Sequence, residues 1–156
     1  MTKLKKIFIL LTFFLFFSNC GYTPIFSKKD VNFSIESIEF LGDRDVKEKI
    51  SRTLSSYKNK PDKAKKISLV ITNSKNITIA SKNSKGEAQT NRISVDTNVK
   101  IILAENNFFE KNFNKTSIYT IINSKSEQKL IENKLIENLS NEIAQQIILE
   151  ILKNTK

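Results

Sequence analysis

The chain has 156 residues, with 26 lysines and arginines against 16 acids, a net charge of +10 and no histidine. That length fits one domain, and the missing imidazole rules out a histidine base, a Ser-His-Asp triad and a histidine-ligated metal. A single cysteine excludes an internal disulfide.

Lys3, Lys5 and Lys6 open the chain, and Ile7 to Phe17 then run apolar except for Thr12. These 11 residues match a signal-peptide core and fall short of the roughly 20 that a helix needs to span a bilayer. Residues 1–19 therefore read as a secretory signal. Cys20 follows directly, where bacterial lipoproteins are acylated and cleaved, although Asn19 departs from the small residue usual there. The expectation is a covalent lipid on Cys20, with about 0.8 kcal/mol of membrane affinity per buried methylene. A free thiol is the alternative. Losing Lys3, Lys5 and Lys6 with the signal takes the net charge from +10 to +7. Such a balance favours anionic partners, acidic lipid or phosphorylated glycan, and export argues against nucleic acid. The abundance of Lys, Asn and Ile also fits AT-rich coding, which raises lysine counts without any function.

Residues 20–30 read as a tether, held extended by Pro24 and solvated by Lys28, Lys29 and Asp30. Residues 31–156 read as one domain. Val31, Phe33 and Ile35 alternate, and Ile38 and Phe40 resume in the opposite phase, which predicts a bulge near Glu36 and Ser37. Gly42 breaks this strand. Asp43 is a plausible N-cap for a helix with Val46, Ile50 and Leu54 on one face, ended by Asn59, Lys60 and Pro61. A long strand carries Ile67, Leu69, Ile71, Ile77 and Ile79, and residues 83–86 supply a turn in which Gly86 takes positive φ. The next strand sets Ile93, Val95, Val99, Ile101 and Leu103 against Ser94, Asp96, Asn98 and Lys100, one face buried and one wet. After Asn106 and Asn107 a fourth strand places Phe113, Tyr119 and Ile121 in one phase. From Ser126 to Lys153 a long helix repeats Ile131, Leu135, Leu139, Ile143, Ile147 and Ile151, widened by Ile136, Ala144, Ile148 and Leu152, a stripe read as core. The fold class is α+β: a four-stranded, mainly antiparallel sheet with two helices packed on one face, in the order β-α-β-β-β-α.

Catalytic chemistry is sparse. Glycines at 21, 42 and 86 are too scattered for a phosphate loop. Asp43 with Asp45 reads as helix capping. The expectation is a binding or structural module with no enzyme activity, no metal and no cofactor beyond the lipid on Cys20.

Three stretches carry a family resemblance. Cys20, Gly21, Tyr22, Pro24 and Phe26 are similar to a CGF-x-P-L-Y start, with Tyr22 in place of the commoner Phe. Arg92 precedes a long alternating strand, and residues 115–152 run from a serine-bearing strand end into a helix. Together they resemble the lipopolysaccharide-assembly lipoprotein family LptE in its alphaproteobacterial form. The resemblance implies an outer-membrane lipoprotein, on the periplasmic side, that plugs and helps assemble the LptD β-barrel and aids lipopolysaccharide delivery to the cell surface. It also implies basic residues against the lipid's acidic groups, for which Arg92, Lys82 and Lys85 are the candidates; an arginine grips phosphate bidentately. The alternative is another periplasmic lipoprotein that binds without a barrel partner.

Overall fold

The computed structural model describes residues 31–59, 65–104 and 107–155; the predicted signal, Cys20 and the tether lie outside these. The chain divides into two compact units, and residues 31–156 are one of them. Its elements are β1 (Phe33–Gly42), α1 (Arg44–Ser55), β2 (Lys65–Lys82), β3 (Ala88–Ala104), β4 (Asn107–Thr120) and α2 (Lys125–Asn154).

The strands lie in sequence order. β1 pairs parallel with β2, and β2 with β3 and β3 with β4 pair antiparallel. A parallel pair needs a crossover, and α1 supplies it. The result is the expected α+β sheet with its β-α-β-β-β-α order. The phase change in β1 is a real bulge: the register slips between Ile35 and Ser37, so Ile35, Ile38 and Phe40 lie opposite Ile67, Leu69 and Ile71. The extra residue keeps both halves of an interrupted apolar pattern on one face.

That face carries the core. Phe33, Ile35, Ile67, Leu69, Ile71, Ile93, Val95, Val99 and Ile101 are buried from the sheet side, and Val46, Ile50 and Leu54 of α1 close over them. Burying each such side chain contributes about 1.5–3 kcal/mol. The α1 start is capped as its sequence predicts, with the Asp43 carboxylate accepting from Asp45 N at 2.9 Å and Val46 N at 3.1 Å. Past its end, Tyr57 stacks on Phe33 with ring centroids 5.7 Å apart.

The α2 helix corrects two expectations. It begins at Lys125, capped by Ser124, whose hydroxyl accepts from Glu127 N, and not at Ser126. Ser-Lys-Ser-Glu at 124–127 is a capping-box spacing. The buried positions are Ile136, Leu139, Ser140, Ile143, Ala144, Ile147, Ile148 and Ile151, whereas Ile131 stays 37% exposed. With 3.6 residues per turn, a strict four-residue repeat drifts about 40° per step. Five such steps separate Ile131 from Ile151, so the two cannot share one face. Glu132 meets the sheet there instead: Tyr119 Oη donates to Glu132 Oε1 at 2.5 Å, and Gln128 Nε2, one turn earlier in the helix, donates to the same oxygen at 3.1 Å.

One cross-strand pair in the core is polar. Asn73 and Thr97 face each other between Ile71–Val99 and Lys75–Val95, both are buried, and the Thr97 hydroxyl has no hydrogen-bond partner among the described residues. A buried, unpaired hydroxyl costs about 1–3 kcal/mol. Thr97→Val, which keeps the shape, should therefore raise stability by about 1 kcal/mol. A urea midpoint that falls would contradict this.

Candidate functional site

Among the described residues, the helices leave the other face of the sheet uncovered, and even-numbered residues of β2, β3 and β4 line it. Its centre is a polar lattice. Asn98 Nδ2 donates to Asn112 Oδ1 at 2.6 Å, Asn114 Nδ2 donates to Asp96 Oδ1, and the Ser37 hydroxyl donates to Ser68 at 2.8 Å. Thr72, Ser74, Asp96, Asn98, Asn112 and Asn114 surround a shallow depression of about 330 Å³. Amide-to-amide and amide-to-carboxylate pairs across strands hold these groups in fixed register.

The three predicted cations lie at one end of this sheet. β2 and β3 close there through a well-built turn: Asn83 Oδ1 accepts from Lys85 N at 2.9 Å and Glu87 N at 3.0 Å, Gly86 N donates to Asn83 O at 3.0 Å, and Gly86 has φ 83°. Lys82 and Lys85 are exposed in and beside that turn. Arg92 sits on the uncovered face, opposite Thr78 of β2 and Ile118 of β4. Thr78 is four residues before Lys82 on β2, about 13 Å along the strand. The cations therefore share an end but do not converge on one pocket. Around them the apolar residues Ile77, Ile79 and Ile118 are exposed, Ile118 at 58%. The isoleucines of β2 were legible in the sequence only as strand alternation; their exposure follows from α1 ending its cover short of this end.

Asp43 and Asp45 are structural. Lys75 Nζ lies 2.8 Å from Asp45 Oδ2 and 3.4 Å from Asp43 Oδ2, fastening the α1 start to β2. The hydrogen bond from Lys75, then its charge, hold the Asp45 carboxyl below its ordinary value. Burial opposes the Lys75 charge, but the hydrogen bond and charge of Asp45, with those of Asp43, outweigh it and raise its pKa. A lowered acid stabilises the fold above its unfolded pKa and loses that as pH falls; a raised base loses its contribution as pH rises past the folded value. The pair therefore contributes between about pH 4 and pH 10. Asp45 is 60% exposed, so the contribution is under about 1 kcal/mol. Lys75→Met should flatten the acid limb of stability between pH 5 and 3, measured by urea unfolding.

Solved structures share this architecture. The chain is similar to the rare lipoprotein B of Shewanella oneidensis (TM-score 0.55, 12% identity, 77% of this chain and 96% of that one). It is similar to a minor lipoprotein of Acinetobacter baumannii (0.56, 14%, 78% and 96%) and to lipoprotein B of Nitrosomonas europaea (0.58, 15%, 83% and 92%). The fold is shared; the sequence is not. No protein-family model matches the chain, and no curated protein matches it significantly.

Arg92, Lys82 and Lys85 thus keep their status as candidates at one end of a shared fold, and Cys20 lies outside the described residues. The polar lattice is what sequence reasoning missed in part. Its β3 half showed as the wet positions Asp96 and Asn98, but the β4 partners Asn112 and Asn114 needed the register.

Proposed function

We propose that this domain is the lipoprotein subunit of a lipopolysaccharide translocon. Lipid on Cys20 ties it to the periplasmic side of the outer membrane. The domain seats in the lumen of an LptD-like β-barrel, plugging it and assisting its assembly. The observation that carries this reading is the uncovered face: amides, hydroxyls and the Asp96 carboxylate in fixed register across three strands, with Lys100 and Glu110 opposite each other beside them. Such a face complements a polar barrel lumen, whose inward side chains are hydrophilic. The shared fold supports it, since the similar structures are lipoproteins by name. The role is non-catalytic: the domain occupies space and presents contacts.

The hairpin end fits the second half of the role. Arg92 beside exposed Ile118 offers a guanidinium and an apolar neighbour together, the chemistry that an anionic glycolipid with acyl chains presents in mirror image. Arg92→Ala should weaken binding of lipopolysaccharide to the purified domain by about tenfold, the loss of one charge-assisted contact. Unchanged affinity would remove Arg92 from the contact surface. The reading as a whole is tested by recovering the protein from detergent-solubilised envelopes and identifying its partners by mass spectrometry. A large β-barrel in equal amount is expected; recovery alone or with soluble proteins would falsify the barrel seat.

A further inference from the structure

The chain enters the domain at the end of the sheet opposite the β2–β3 turn. Val31 and Asn32 precede β1, Asn32 O accepts from Lys65 N at 3.1 Å, and Phe33 lies opposite Lys65 at the first residue of β2. Lysines gather at this entry. Lys65 and Lys66 open β2, Lys58 bridges to Ile35 of β1, and Lys153 sits in the last turn of α2, two residues from Thr155, whose carbonyl accepts from Lys65 Nζ at 2.7 Å. Among the described acids nearby, Glu110 of β4 lies opposite Lys100 and offsets that one charge, and the others do little to cancel the rest. Glu36 reaches Lys66 only at 3.9 Å with both side chains mostly exposed, and Glu150 accepts from Asn154.

An aromatic stands among these charges. Phe108, at the start of β4 and opposite Ile102, is 52% exposed, with Lys100 Nζ 3.9 Å above its ring. Lysines around an exposed aromatic are the composition of a membrane-surface contact: the ring lies at the headgroup level while the cations meet anionic phosphates. We propose that this entry end, built on Lys58, Lys66, Lys153 and Phe108, docks on an anionic phospholipid surface and is the second of two membrane signals.

The position of the chain entry identifies the occupant. Residues 20–30 are eleven residues and reach at most about 38 Å fully extended. The inference rests on the reading of Cys20 as a lipid anchor, because an acylated Cys20 would hold this end, and not the hairpin end, within that reach of the bilayer. Lipid chains on Cys20 would tether the domain through a flexible segment without orienting it, and a basic surface beside the anchor turns this end onto the bilayer.

The test uses residues 31–156, a compact unit with its own core, and vesicles of phosphatidylglycerol with phosphatidylcholine against phosphatidylcholine alone. Because this piece lacks Cys20, the result does not depend on acylation, which the mass of the N-terminus in envelope protein reads separately. Binding to the anionic vesicles alone is expected, weakening as salt rises. Replacing Lys58, Lys66 and Lys153 together by Gln should weaken it at least tenfold. The matched set Lys47→Gln, Lys125→Gln and Lys129→Gln, on the first turns of α1 and α2 and away from this end, should change it less than twofold, although it removes the same charge. Phe108→Ser should weaken binding several-fold at constant charge. Equal loss in the two charge sets would mean that overall charge alone drives binding and would overturn the proposal. So would equal binding to both vesicle types, or none.

Discussion

Gly42→Ala should destabilise the domain by about 3 kcal/mol or more. Gly42 ends β1 with φ at 107°, and a Cβ there would lie 1.8 Å from the backbone oxygen of Asn73. That oxygen belongs to β2 and also accepts from Asp43 N at 3.2 Å, the bond that sets the capping residue of α1 in place. An alanine therefore meets two costs at once: a left-handed backbone and a collision with a main-chain atom that cannot turn aside. Relief requires β1 to part from β2 or α1 to lose its cap. Gly86→Ala is the control. Its φ is also positive, at 83°, but nothing lies within 4 Å of the added carbon. It should cost only about 1 kcal/mol. Urea unfolding of the two variants checks the pair; a Gly42→Ala loss no larger than that of Gly86→Ala would refute the steric account.

Phe33→Ala should cost about 3–5 kcal/mol. The ring is fully buried, begins β1, and stacks on Tyr57 at the far end of α1. Ile35 N donates to Tyr57 O at 3.0 Å, so the backbone and the two rings close the same corner. Truncation leaves a cavity and removes the surface on which Tyr57 rests. Against a total of about 5–15 kcal/mol for a domain, a large share of the stability would go. Amide exchange should show the loss first at residues 57–58 and at the start of β2. Protection there that matches the unaltered protein would mean that the corner does not depend on the ring.

The sheet was largely legible because period-two alternation leaves its mark wherever one face is buried. Ile93 to Leu103 needed nothing else, and even the bulge in β1 showed as a change of phase. β4 was harder: only Tyr119 among its described residues is buried, so its pattern carries little contrast. The register that pairs Asn112 with Asn98 and Asn114 with Asp96 is a tertiary fact, invisible to a local pattern. In α2 the reading followed four-residue spacing past the point where helical geometry permits it, and so included Ile131. The capping signal at Ser124 and Glu127 was in the sequence, but the expected helix began at Ser126, past it. The three cations were named by their type and by resemblance. Their common location at one end came from the hairpin turn, but the exposed isoleucine beside Arg92 came from the register of β4.

The eighteen residues of β2 have a consequence of scale. At about 3.3 Å per residue the strand runs some 56 Å, against a hydrocarbon layer of about 30 Å. The entry at Lys65 and the turn at Lys85 lie at opposite ends of this rod. Under the proposed seating, upright in a barrel with the entry end at the inner leaflet, the domain would be a ruler longer than the membrane is thick. Its lysine-bearing turn would then emerge beyond the outer leaflet's acyl chains without any part of the protein having to move.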